Sequence, residues 1–261
     1  MSIAVDERLA ARACELWERA GKGEITYTGF LTPAEQKGLF ERMAYARADM
    51  LAAGGYDMAE RRRLFFLPAY LKELEEPYRT ACLQETFAEC LVPLQIKGSG
   101  YRELSHGDFL GALLHLGVER DRIGDVCVTA PDTAVLLCDR LMAGFFGENL
   151  ARVANDAVRV SEIVLPPDFD GGRKFEKISD TVASPRADAV VAALANLSRE
   201  RAQALFKEGR VEIDYEPQER VDRTVSEGAV IVIRGCGKFI VRSVSDVTRK
   251  GRYRLLADRY V

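Results

Sequence analysis

Residues 198–210 carry the spacing that most clearly suggests chemistry. Arg199, Gln203 and Lys207 recur at i, i+4 and i+8, so on a helix they stack into one polar and basic ridge, with Arg210 just beyond its end. Ser198 suits the N-cap position, and Arg186 and Arg201 add positive charge nearby. Guanidinium and ammonium groups in such a row suit phosphate and 2′-hydroxyl contacts on structured RNA. Gln203 has two readings, a donor and acceptor at a ribose or base edge, or a surface amide. Lys238 and Arg242 are secondary candidates. Arg249, Lys250, Arg252 and Arg254, with Arg259 and Tyr260, interleave charge with rings, as a nucleic-acid tail or as a solvated terminal strand.

Catalytic signatures are missing from the sequence. It holds no G-x-S-x-G elbow, P-loop or H-E-x-x-H, and Gly98-Ser99-Gly100 lacks the third glycine of a dinucleotide fingerprint. His106 and Asp108 could be imagined as base and carboxylate, but Ser105-x-x-Asp108 before an apolar run is a capping box. Arg61-Arg62-Arg63 reads as phosphate contacts or as a solvated turn. The six cysteines include no C-x-x-C pair and the chain has only two histidines, so buried reduced thiols are expected, with no metal and no cofactor.

The elements that position these groups fall into three blocks. No run approaches the roughly 20 apolar residues of a membrane span. The first residues read as an amphipathic helix rather than a signal peptide, so a cytoplasmic protein with no membrane partner is expected. Residues 1–63 form a mainly helical region: Ala13, Leu16, Trp17 and Ala20 make an apolar stripe. Thr32-Pro33 opens a helix running towards Leu51. Residues 64–165 read as β-α-β-β-α-β, with strands near 87–96, 125–129, 133–138 and 158–164, the split plan of ferredoxin-like (RRM-like) domains. The stacking aromatics of RNA-recognition motifs are absent from its central strands. Residues 166–172, Pro-Pro-Asp-Phe-Asp-Gly-Gly, read as a linker. Residues 173–261 form a small α+β unit, two helices near 187–195 and 199–208 on strands near 211–214, 229–234 and 239–244. The fold class is α+β throughout.

Net charge follows the same division. Residues 1–172 hold 19 Lys and Arg against 27 Asp and Glu, whereas residues 173–261 hold 18 against 13. A basic last third on an acidic chain points one module at polyanions.

Ser198-Arg199-Glu200-Arg201-Ala202-Gln203, Lys207-Glu208-Gly209-Arg210-Val211, Glu227-Gly228 and Ile231-x-Ile233-Arg234-Gly235 together resemble the S4 domain, a small RNA-binding module. Residues 30–36, the block His106-x-Asp108-Phe109-Leu110-Gly111-Ala112-Leu113-Leu114, and Ile123-Gly124-Asp125-Val126 resemble the YlmH family over most of the chain. Gly107, Pro185, Ala187 and Ala229 depart from that family's pattern. The resemblance implies a helical N-terminal region, an RNA-binding middle domain and a C-terminal S4-like domain. It also implies a non-enzymatic partner of 23S rRNA and tRNA on the large ribosomal subunit, in quality control of stalled peptidyl-tRNA. An RNA-modifying enzyme or a protein-interaction adaptor built on the same RNA-binding domain are the alternatives.

Overall fold

The computed structural model describes residues 6–247 and 251–260. The chain divides into two compact units, Met1–Gly172 and Arg173–Val261.

In the first unit the helix Glu7–Ala20 is capped by the Asp6 carboxylate, and Ala10, Ala13, Leu16 and Ala20 form its buried stripe. Thr32 and Glu35 close a reciprocal capping box with Pro33 in the first turn. That helix ends at Arg42 rather than continuing to Leu51. A short 3-10 helix, Ala44–Asp49, follows, and Met50–Ala53 turns into a strand. The strand forms because Arg63–Phe66 offers it a ladder, with Thr26–Tyr27 on the other side. This three-stranded sheet adds short strands to a region whose commonest structure is helix, as expected. The boundary expected at 63/64 falls inside its central strand.

The second layer is a four-stranded antiparallel sheet, in spatial order Ile123–Ala130, Thr133–Cys138, Val92–Lys97, Arg159–Glu162. With helices His106–His115 and Arg140–Asn149 packed on one face, it is the expected β-α-β-β-α-β plan. Its first strand begins later than the sequence suggested. Residues 87–90 finish the helix Tyr78–Cys90, because Phe87 and Cys90, three apart, both turn towards the apolar cluster around Phe65. A short apolar run gives no periodicity to separate the two cases.

The other face of this sheet is covered by the first layer. Cys127, Val135 and Leu137 pack against Phe30, Phe65 and Leu91, and all of Thr133–Cys138 is buried. Central strands sealed in this way leave no platform for base stacking. The 166–172 segment also docks here: Phe169 packs on Tyr56 at 5.1 Å between ring centroids.

A buried ion pair joins the two layers. Arg63, 2% exposed, donates from Nη2 to Asp139 at 2.9 Å and from Nη1 to the Thr28 carbonyl, with its guanidinium 4.4 Å from the Phe30 ring centroid. Its Nε, also buried, has no hydrogen-bond partner among the described residues. Asp139 in turn caps the helix Arg140–Asn149.

The second unit is a six-stranded antiparallel sheet. Its order is Phe175–Val182, Tyr253–Tyr260, Gly237–Val247, Val230–Ile233, Val211–Ile213, Glu216–Pro217. Helices Ala187–Leu194 and Arg199–Lys207 cover one face over a core of Val190, Val191, Leu205, Phe206, Ile231 and Phe239. Phe175–Val182 is a strand that the sequence did not suggest, and of the two readings of the basic C-terminal stretch the terminal strand is the one found, with Tyr253–Tyr260 second in the sheet. The turn expected at Glu216-Pro217 lies one step earlier, where Asp214 and Tyr215 take positive φ in a two-residue hairpin.

Breaking the Arg63–Asp139 pair from one side leaves an unpaired buried charge. Asp139→Ala is expected to cost about 3–5 kcal/mol in urea unfolding. The double variant Arg63→Met/Asp139→Asn should be less damaging than Asp139→Asn alone.

Candidate nucleic-acid interface

The basic residues of the second unit are arranged around an acid. Asp188 is the second residue of the helix Ala187–Leu194 and is fully buried. Residues 220–225 pin this helix start: Ala187 and Asp188 N–H donate to the carbonyls of Arg223 and Val221, and Val225 N–H donates to that of Pro185. The Asp188 carboxylate accepts from Arg199 Nε at 3.0 Å and Nη2 at 3.3 Å, and from Arg186 Nε at 3.2 Å and Nη2 at 3.4 Å. It also accepts from Gln203 Nε2 at 2.9 Å and from the Ala189 N–H. Three candidates from different turns thus converge on one group.

Burial alone would push the Asp188 carboxyl up. The hydrogen bonds from Arg199, Arg186 and Gln203, with the charge of Arg199, outweigh that and hold it down at about 2. It therefore stays ionised, and two guanidiniums facing one carboxylate leave net positive charge at the surface. The Arg186 and Arg199 side chains remain 40% and 50% exposed, so each orders its inner edge on Asp188 and offers its outer edge outward.

The other candidates take separate places. The Ser198 hydroxyl accepts from Arg201 N–H and caps the helix Arg199–Lys207, which ends before Gly209 at positive φ. Lys207 is exposed on the Arg199–Gln203 side. Arg201, two residues from Arg199, lies on the opposite flank of the buried stripe and is also exposed. Neither has an acidic partner among the described residues.

Arg210 is not part of an open ridge. Its guanidinium donates to the Arg234 carbonyl at 2.6 Å and pairs with Glu208, tying the helix end to a turn. A Cβ at Gly235 would come within 2.6 Å of the Arg210 Nη2. The ridge expected to be free in solvent is therefore corrected at Arg199, Gln203 and Arg210. All three are engaged within the protein, so substituting Arg199 has a stability cost.

Lys238 and Arg242 belong to the sheet, not to the helical corner; Arg242 pairs with Asp258 at 2.7 Å. Arg252, just before the last strand, donates to the Thr181 carbonyl, and Arg254 is exposed on that strand. Arg249 and Lys250 lie outside the described residues.

In the first unit, the arginines weighed for phosphate contact and the carboxylate weighed for catalysis are engaged internally, whereas His106 is exposed. Arg61 donates to the carbonyls of Phe30, Arg120 and Ile123, and Arg62 to those of Asp57 and Ala59. Neither the phosphate nor the solvated-turn reading of Arg61–Arg63 holds. Asp108 is half of the capping box with Ser105, whose hydrogen bonds depress its carboxyl.

Asp188 is the member of this cluster that the sequence did not single out. Its signal was an acid between Ala187 and Ala189, inside an apolar helix. Because its folded pKa lies below the ordinary value near 3.8, it stabilises the fold above about pH 4 and loses that contribution as pH falls towards 2. Wild type is expected to exceed Asp188→Asn by on the order of 2 kcal/mol at pH 6. In urea titrations the gap should close between about pH 4 and 2.

With this geometry, the similarities to known proteins can be placed. A family model described as "Putative RNA-binding domain in YlmH" matches residues 84–166, the stretch that holds the four-stranded sheet and its two helices. The chain is 29% identical to the ribosome-associated protein quality control protein P2 of Bacillus subtilis (strain 168) over 257 residues. That alignment covers 97% of this chain and 95% of the relative. The solved structure of cell division protein ylmH from Streptococcus pneumoniae aligns with a TM-score of 0.47 at 16% identity, covering 63% of this chain and 94% of that one. The chain is thus similar to YlmH-type proteins, through the domain match at residues 84–166 and through a relative aligned over nearly its whole length.

Proposed function

We propose that the protein is a non-catalytic, cytoplasmic RNA-binding factor of translation. In this reading it engages rRNA or tRNA on the large ribosomal subunit and acts in quality control of stalled peptidyl-tRNA. The observation that carries the reading is the helical corner, where one buried carboxylate sets two guanidiniums and an amide side by side. Groups fixed in this way lose little side-chain freedom on meeting a phosphate, and planar guanidinium edges match phosphate oxygens in pairs. Lys207 and Arg201 extend the positive surface on the two flanks. The corner is the binding face of an S4-like module. The full-length similarity to a ribosome-associated quality control protein supports the ribosome as the setting. The match at residues 84–166 supports a second RNA-facing part in the first unit, reading shape and backbone rather than stacked bases.

Full-length protein is expected to co-sediment with large ribosomal subunits carrying tRNA, and to be released by salt. Arg201→Ala/Lys207→Ala should lower the slope of log K against log salt by roughly one to two units. Its stability should stay within about 0.5 kcal/mol of wild type, since both side chains are exposed. Recovery only in ribosome-free fractions would overturn the proposal.

A further inference from the structure

Across the sheet from the helical corner, the second unit has another face on which none of its described helices packs. Side chains alternate along its strands. Leu255, Ala257, Phe239 and Val241 point into the core, while Tyr260, Lys238, Ile240 and Phe175 point outward and are only half-buried. Phe175 and Tyr260 are register partners on adjacent strands, edge to face at 5.0 Å.

Cations surround these rings. Lys238 Nζ lies 4.8 Å from the Tyr260 centroid and 5.5 Å from that of Tyr215. The Arg173 guanidinium lies 5.7 Å from Tyr260, and that of Arg242 lies 6.0 Å from Phe175. Lys177 and Arg254 are exposed on the same outward rows. Among the described residues, the outward positions of these three strands thus carry four cations, Lys177, Lys238, Arg242 and Arg254, against one acid, Asp258.

We infer that this face is a stacking platform for single-stranded RNA. Bases lie against Phe175 and Tyr260, and Arg173, Lys238 and Arg242 hold the phosphates beside them. The surplus of cations among the described residues selects a polyanion over an apolar protein segment, which offers no charge to complement it. The rings select a single strand over a duplex, because only unpaired bases can leave their own stack to meet an aromatic face. The inference rests on the RNA-binding reading above and adds a second surface to it, so the two fail separately.

The test uses the full chain and two probes, an oligouridylate of about 12 nucleotides and a fully paired RNA hairpin. Phe175→Leu/Tyr260→Leu is expected to weaken oligouridylate binding by roughly tenfold or more, the loss of at least one stacked base, with hairpin affinity unchanged. Tyr260→Phe, which keeps the ring, restores the affinity. Should the double variant not fold, Lys238→Glu, which reverses the charge over Tyr260, must still weaken the oligouridylate selectively. Wild type that fails to bind the oligouridylate overturns the platform, as does a folded double variant that binds it as wild type does. Equal loss of both probes also overturns it. Wild type that binds neither probe removes the RNA-binding reading itself.

Discussion

The buried carboxylate of Asp188 is the constraint on which the candidate interface depends. A carboxylate without water survives only with several strong donors, and here these come from Arg186, Arg199 and Gln203. The dependence is mutual. The donors keep Asp188 charged, and Asp188 fixes the orientation of the donors. Without it the three side chains would be long, mobile and independent, and ordering them would count against each encounter with RNA. The backbone contacts from residues 220–225 to the helix start matter for the same reason, since they hold the carboxylate in place.

The two units use arginine differently. In the first, Arg61, Arg62 and Arg63 donate to carbonyls and a carboxylate, and tie loops and layers together. In the second, Arg186 and Arg199 are half inside and half outside, and Arg201 is exposed. Composition alone registers only that the last third is basic. What the charge does depends on burial and on nearby acceptors. The three adjacent arginines, the longest run of positive charge in residues 1–172, are committed to acceptors within the protein.

Much of the architecture was readable because its signals are local. The capping boxes at Thr32 and Ser105, the Ser198 cap and the Gly209 stop follow from chemistry within four residues. The order of strands and helices between residues 92 and 162 was legible for a similar reason, apolar runs separated by turn residues. The failures are long-range. Phe175–Val182 has few apolar residues on its inward row and exists as a strand because Tyr253–Tyr260, some eighty residues on, pairs with it. Met50–Ala53 likewise takes its conformation from Arg63–Phe66. At the site, the spacing of Arg199 and Gln203 revealed a shared face but not the acid beneath them, because Asp188 lies on a different helix and reads locally as ordinary first-turn charge.

The most direct test of the central claim is the affinity of Asp188→Asn for structured RNA, measured on folded full-length protein near neutral pH. Removing a negative charge from a phosphate-binding surface should strengthen binding if charge alone matters. If Asp188 acts by setting Arg186, Arg199 and Gln203, the variant binds more weakly, by roughly tenfold, about the worth of one misplaced charged hydrogen bond. Unchanged or tighter binding by a folded Asp188→Asn would contradict the account.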